Sequence, residues 1–273
     1  VDWWEGAWLG LLQGLTEFLP VSSSGHVIVG GWVFGRDGED SVPLSFVILV
    51  HAATLLATCV VLGPDLWRLA RETIQGLRRP TAYLRTDAGR TMLGVVVATV
   101  PTGVVGLLLA PRLGAWSEHP ALVGASFLVT AASLMATRAV ATDATRSVPR
   151  LSLGAFLLIG LAQGLAVMPG VSRSGATIVV GMAVGLSAVE AFRFSFLLSI
   201  PAIVGATVLE LRDLDELGAL GTGATVGAGV AFASGLLALL VLRRLVVAGR
   251  LWIFAVYLIP LGLGLIAWEA LGP

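Results

Sequence analysis

Six stretches of the chain are continuously apolar: roughly 42 to 63, 92 to 110, 121 to 141, 191 to 210, 222 to 242 and 251 to 271. A helix rises 1.5 Å per residue and the hydrocarbon core of a bilayer is ~30 Å thick, so this pattern predicts six transmembrane helices. Two further apolar segments, about 3 to 34 and 151 to 187, are interrupted at Pro20 and at Pro169-Gly170, and each interruption is followed by hydroxyl residues. Non-helical backbone is not tolerated against lipid. Each segment is therefore read as a re-entrant pair of half-helices that enters and leaves on one side, its break covered by protein or lining a polar cavity.

The two interrupted segments resemble each other. Gly10 to Gly31 aligns without a gap to Gly160 to Gly181 with 12 of 22 positions identical, including Gln13/Gln163, Val21/Val171, Ser22/Ser172, Ser24/Ser174 and Gly25/Gly175. The same offset pairs Ser45-Phe46 with Ser195-Phe196. The chain thus reads as a single membrane domain, 1–273, made of two copies of one unit, 1–141 and 151–273. Three crossings per copy turn the second upside down. The expected fold is an all-α integral membrane protein with six transmembrane helices plus two re-entrant half-helix pairs, built as two inverted-topology repeats that enclose a site near the midplane.

Composition agrees with the bilayer as solvent: 56% of 273 residues are hydrophobic, 12% are charged, and the mean hydropathy is +0.92. All 17 basic residues are Arg and the formal net charge is zero, which argues against a nucleic-acid surface. Arg68, Arg71, Arg78, Arg79, Arg85, Arg90, Arg146, Arg150, Arg243, Arg244 and Arg250 fall in loops on one side, with Arg138 and Arg193 at span ends there; the other side has Arg36, Arg112 and Arg212. The positive-inside rule makes the Arg-rich side cytoplasmic and predicts a multi-pass plasma-membrane protein with both termini outside. The eight Trp fall near segment ends or loops, as an interfacial belt requires. The N-terminal stretch has no basic leader followed by a cleavage site, so no removed signal peptide is expected. Cys59, a lone thiol in an apolar span, reads as inert.

Against this background the polar residues inside the apolar segments are the candidate chemistry. Gln13 and Glu17, four apart, share a helix face, and a carboxylate at membrane depth is a functional candidate. After Pro20, Ser22, Ser23 and Ser24 precede His26, and their hydroxyls can cap a half-helix whose free N–H groups attract phosphate. The second copy places Ser172, Arg173, Ser174 and Thr177 after its break, with Arg173 in place of Ser23 and Ala176 in place of His26. A guanidinium at that depth needs an anion, which Glu17 or a phosphate would each provide. One copy supplies carboxylate, imidazole and hydroxyls; the other supplies positive charge. Two half-helix N-termini facing each other with Arg173 between them suit a small polyanion such as a pyrophosphate. Ser23, His26 or water as nucleophile, His26 as proton-transfer group, and Glu17 with a divalent cation cover the needs of phosphoryl transfer. Gln13 and Glu17 are the metal candidates, a sparse set that leaves further ligation to substrate oxygens, and Mg²⁺ and Ca²⁺ are both open.

These residues resemble a known family. Gln13-Gly14-Leu15-Thr16-Glu17-Phe18-Leu19-Pro20-Val21-Ser22-Ser23-Ser24-Gly25-His26 is similar to the first signature of the bacitracin-resistance type undecaprenyl pyrophosphate phosphatases, and Pro169-Gly170-Val171-Ser172-Arg173-Ser174-Gly175-Ala176-Thr177 to their second. The segment Phe194-Ser195-Phe196-Leu197-Leu198-Ser199-Ile200-Pro201 is also family-like. The resemblance implies a membrane hydrolase that converts undecaprenyl diphosphate to the monophosphate carrier for cell-wall polymers, dependent on a divalent cation and open to the outer face. It also implies that Glu17, Ser22, Ser23, His26, Ser172, Arg173, Ser174 and Thr177 are functional. Gln13 stands where many members have a second glutamate, which weakens any mechanism needing two carboxylates on the metal.

Two other readings compete. Inverted repeats with broken helices also build secondary transporters, so a transporter or flippase of polyprenyl phosphate, alone or in addition to hydrolysis, is the alternative, and a lipid-binding scaffold is a third class. Glu17, Ser23 and His26 lie within ten residues in one copy, and a pure transporter needs no nucleophile. His51 reads as a structural histidine, His119 as exposed, Glu190 with Arg193 as a one-turn ion pair, and Glu210, Asp213, Asp215 and Glu216 as a solvated acidic loop. The partners expected are the bilayer and a polyprenyl diphosphate lipid; a homodimer is compatible with the sequence, which does not fix the oligomeric state.

Overall fold

A computed structural model describes residues 1–33, 42–139, 145–212 and 221–272. Arg36, Asp213, Asp215 and Glu216 lie outside the described residues. The described chain is helical: α1 (Trp3–Phe18), α2 (Ser23–Val33), α3 (Leu44–Val61), α4 (Gly63–Gly76), α5 (Pro80–Tyr83), α6 (Asp87–Leu109), α7 (Leu113–Ser117), α8 (Pro120–Ala136), α9 (Leu153–Leu165), α10 (Arg173–Ala183), α11 (Ala188–Glu210), α12 (Thr222–Val247) and α13 (Ile253–Leu271). Short 3₁₀ turns at Ala110–Arg112 and Val148–Arg150 link α6 to α7 and precede α9.

Among the described residues, five helical runs are long and apolar enough to cross a membrane: α3, the Asp87–Ser117 run that begins with α6, α11, α12 and α13. The sixth expected span, 121 to 141, is helical only over the 17 residues of α8, which end in turns through Ala139. At 1.5 Å per residue that is about 25 Å, short of the full hydrocarbon thickness. Both expected breaks are present, between Phe18 and Ser23 and between Leu165 and Arg173. The stretch 64 to 91, whose Arg residues are expected in a loop, instead forms α4, α5 and the start of α6. Leu69 of α4 is buried, whereas Trp67 and Ile74 of the same helix are exposed.

The half-helix pairs pack on spans remote in sequence: α1 on α12, and α9 on α6, while α8 lies along α13. At one end of the last pair Ala121 N–H donates to Glu269 (2.6 Å), and at the other Arg138 stands over the Trp252 ring (5.1 Å). Close helix approach in a bilayer depends on small residues, because burying apolar side chains gains little where the solvent is itself apolar. A Cβ on Gly10 would fall 2.1 Å from the Gly227 carbonyl oxygen, and one on Gly160 would fall 2.1 Å from that of Ala98. These two glycines are equivalent in the alignment of the two copies. Gly10→Leu is expected to separate α1 from α12 and to lower stability by at least the ~1–3 kcal/mol typical of overpacking, read as thermal melting in detergent. Gly30→Leu, where a Cβ meets nothing within 4 Å, serves as the control and should melt like the parent.

The remaining expectations fall into place around this frame. Arg193 is 3.4 Å from Glu190 and 2.8 Å from Asp65 of α4, so the expected pair is part of a triad. His119 is exposed and lies 3.5 Å from Glu269. Glu210 departs from the reading as part of a solvated loop: it closes α11, half-buried, with Oε2 buried and unbonded among the described residues. Trp3, Trp4, Trp8 and Trp67 are exposed, and Trp32 and Trp268 meet edge to face at 5.9 Å.

Candidate active site

Two chain breaks meet to make the site. Gly25, in the first turn of α2, packs so closely on Gly170 that a Cβ there would lie 2.9 Å from its backbone; Gly175, in the first turn of α10, faces Pro20 in the same way at 3.3 Å. Each half-helix start therefore abuts the other copy's break. The Ser22 hydroxyl accepts from Gly170 N–H (3.0 Å), and Thr130 of α8 pins the second break by donating to the Gly170 carbonyl (2.8 Å) and accepting from Ser172 N–H (3.0 Å). Ser172 caps α10 by accepting from Gly175 N–H at 3.2 Å. Ser22 has φ 71°, the one positive φ of a non-glycine among the described residues. Backbone strain of that kind persists where surrounding bonds over-determine it, and here the bond to Gly170 does so.

A small cavity of about 50 Å³ opens between the breaks, lined by Thr16, Glu17, Ser22, Ser23, Ser24, Ala166, Val171, Ser172 and Arg173. Glu17 is its hub. Its Oε1 accepts from Arg173 Nη2 at 2.5 Å, and its Oε2 accepts from Ser23 Oγ at 2.8 Å and from Gln13 Nε2 at 3.1 Å. Both side chains of the ion pair are largely buried, 9% exposed for Glu17 and 15% for Arg173. Arg173 Nη1 is buried too and has no partner among the described residues. An unpaired guanidinium nitrogen beside two half-helix starts is a donor without its acceptor, and burying it so is costly unless an anion or water completes it.

Of the ten residues singled out in the sequence, six line this cavity and four support it. Gln13 holds the Glu17 carboxylate. Its counterpart Gln163 has Val167 where Glu17 would be, and turns instead to Thr102 Oγ1 and the Leu198 carbonyl, at 3.3 and 3.4 Å. Ser174 stands 3.2 Å from the Ser172 hydroxyl. Thr177 is buried, donating to the Arg173 carbonyl (2.8 Å) and sharing a hydrogen bond with Ser195 of α11 (2.5 Å), so it fixes the first turn of α10 against its neighbour. His26, one turn beyond Ser23 on α2, directs Nδ1 at the Ser22 carbonyl (2.7 Å) and Nε2 at the Tyr257 hydroxyl of α13 (3.0 Å). Sequence reasoning missed Thr130, Ser195 and Tyr257. The offset that paired Ser45-Phe46 with Ser195-Phe196 pointed at Ser195; nothing local marks the other two.

For a divalent cation the chain offers one carboxylate and one amide here, and no group of three or more His, Cys, Asp or Glu converges among the described residues. That set does not make a protein cage. It fits an ion of the Mg²⁺ habit, which takes one or two protein oxygens and completes its shell with water and phosphate. A larger cavity of about 700 Å³ between α4, α6 and α11 is apolar and carries none of these residues.

The family described as "Bacitracin resistance protein BacA" matches residues 6–264. Among curated proteins, an undecaprenyl-diphosphatase of Desulfosudis oleivorans is 42% identical over 271 residues, covering 97% of each chain. One of Desulforapulum autotrophicum is 39% identical over 272 residues, covering 96% of this chain and 97% of its own. Another, of Salinibacter ruber, is 37% identical over 274 residues, covering 98% and 99%.

Proposed function

The chain belongs to the bacitracin resistance protein family, and from that premise we infer that it is a membrane phosphatase. It hydrolyses undecaprenyl diphosphate to undecaprenyl phosphate and phosphate, returning the lipid carrier to cell-wall synthesis. The observation that carries this reading in the structure is the buried, unpartnered Arg173 Nη1 beside a serine hydroxyl that is bonded to a carboxylate.

The cavity holds a water or two and not a diphosphate. Substrate must therefore part Arg173 from Glu17, offering a more highly charged acceptor for the guanidinium fork. That exchange leaves Glu17 with Ser23. Ser23 Oγ, freed of its proton by Glu17, attacks the terminal phosphorus; the bond from that phosphorus to the bridging oxygen breaks, and the electron pair leaves with undecaprenyl phosphate. Arg173 and the starts of α2 and α10 stabilise charge on the transferring phosphoryl. Undecaprenyl phosphate leaves as its anion; water then hydrolyses the phosphoserine, with His26, one turn from Ser23, taking a proton from the attacking water and Glu17 returning its proton to Ser23 Oγ as phosphate is released. A divalent cation, Mg²⁺ or Ca²⁺, held through Glu17 and Gln13 together with substrate oxygens, would neutralise phosphate charge.

The finer architecture is part of the same proposal. Inverted repeats are supported by the exchanged packing of α1 on α12 and α9 on α6, and by the reciprocal contacts Gly25 to Gly170 and Gly175 to Pro20. Opening of the site to the outer face of the plasma membrane, with both termini outside, is supported by the Arg distribution.

Ser23→Ala tests the chemistry. Phosphate release from undecaprenyl diphosphate is expected to fall by about 10³-fold with KM little changed, and acid-quenched parent enzyme should carry phosphate on Ser23 by mass spectrometry. Parental turnover in the variant moves the nucleophile to water.

A further inference from the structure

His26 is held on three sides, and one of its holders has no part in the reaction described above. The Ser22 carbonyl can only accept, so the imidazole Nδ1 carries a proton and donates it at 2.7 Å. In the neutral ring Nε2 is then the lone-pair nitrogen and the one left for proton transfer. Its partner is Tyr257, whose hydroxyl donates to it at 3.0 Å from the opposite end of the chain, and whose ring stacks on the imidazole at 5.7 Å and 24°. Phe127 of α8 closes the third side, edge-on at 5.2 Å.

We propose that Tyr257 is a positioning residue for the reaction: its hydroxyl and ring hold the orientation of the His26 imidazole, whose tautomer the Ser22 carbonyl sets. The proposal rests on the proton-transfer role of His26 given above. The bond to the Ser22 carbonyl fixes the proton placement of the imidazole, and the second bond, at the opposite corner, fixes its rotation, which the first does not do alone. Tyr257 is 50% exposed, so its hydroxyl is not buried to complete a core hydrogen-bond network, and its one described bond is to His26. A tyrosine on a membrane span is ordinarily accounted for by the interfacial belt. An indole or phenol of that belt points its polar end to water, whereas this one points at an imidazole.

The test uses the full-length protein in detergent with undecaprenyl diphosphate, comparing Tyr257→Phe, His26→Ala and the double variant, each checked by thermal melting. Tyr257→Phe keeps the ring and removes only the hydroxyl. It is expected to lower kcat about tenfold, the worth of one ordinary hydrogen bond, with KM within about twofold. In the His26→Ala background the same substitution should have no further effect, because a residue acting through another loses its influence when that partner is gone. The ¹⁵N resonance of the His26 Nε2 should also move in Tyr257→Phe. Parental kcat in Tyr257→Phe with His26→Ala impaired overturns the role of Tyr257 alone. So does a tenfold loss that persists in the double variant, which would mark Tyr257 as acting on something other than His26. Parental kcat in His26→Ala overturns the assignment of His26, and this proposal with it.

Discussion

Arg173→Ala is expected to cut phosphate release from undecaprenyl diphosphate by about 10³-fold or more, the range over which phosphoryl transfer depends on a single well-placed arginine. The expectation follows from where its two terminal nitrogens lie. Nη2 bonds to Glu17, and Nη1 is buried without a partner among the described residues. Bound phosphate satisfies Nη1 and takes over Nη2, so the guanidinium fork loses nothing and gains an acceptor of higher charge. Arg173→Lys keeps one positive charge and forfeits the fork, and should recover only part of the loss. The measurement is kcat and KM together with calorimetric binding of inorganic phosphate. Loss of phosphate binding in Arg173→Ala, with binding kept in His26→Ala, separates anion capture from proton transfer. An Arg173→Ala variant that binds phosphate like the parent removes Arg173 from the anion site.

The second large effect is expected from Glu17→Gln. This substitution preserves shape and most hydrogen-bonding capacity but removes both the base for Ser23 and the counter-charge for Arg173. Turnover should fall by about 10²–10⁴-fold, as for loss of a general base. Because the guanidinium is then buried without its carboxylate, stability should fall by about 3 kcal/mol, the lower end of what breaking a buried pair costs. Added phosphate should restore much of that stability by pairing with Arg173, and should raise the melting temperature of Glu17→Gln more than that of the parent. The variant would thus bind phosphate better while turning over substrate worse. A melting temperature equal to the parent's, with no response to phosphate, would show that the Glu17 to Arg173 contact does not hold the substrate-free site together.

The two copies differ at both of these positions. Position 17 is Glu in the first copy and position 167 is Val in the second; position 173 is Arg in the second and position 23 is Ser in the first. A symmetric ancestor of such a site would bring two identical loops together. Here the differences bring one carboxylate, one hydroxyl and one guanidinium to a single point, which is what a directed reaction requires.

The sequence alone determined everything that depends on local periodicity or on spacing within one helix. The apolar runs located five helices long and apolar enough to cross a membrane and the shorter α8, Pro20 and Pro169-Gly170 located the breaks, and the alignment of Gly10 to Gly31 with Gly160 to Gly181 paired them. Gln13 and Glu17 share a helix face because four residues make about one turn, and the structure joins them at 3.1 Å. Tertiary structure decided what crosses between helices. It turned Glu17 onto Arg173, 156 residues away, after the sequence had left Glu17 and a phosphate both open as the anion for that guanidinium. It joined Ser22 to Gly170, pinned the second break with Thr130, and turned His26 Nε2 toward Tyr257. Thr130 and Tyr257 carry no local mark, because a threonine or a tyrosine inside an apolar span has the same sequence context whether its hydroxyl meets its own helix or a neighbour's. The segment 64 to 91 folds into α4, α5 and the start of α6, with Leu69 of α4 in the buried core. Hydrogen bonds within a helix follow from its repeat, whereas those between helices depend on rotation and depth, which packing fixes through contacts such as Gly10 on Gly227.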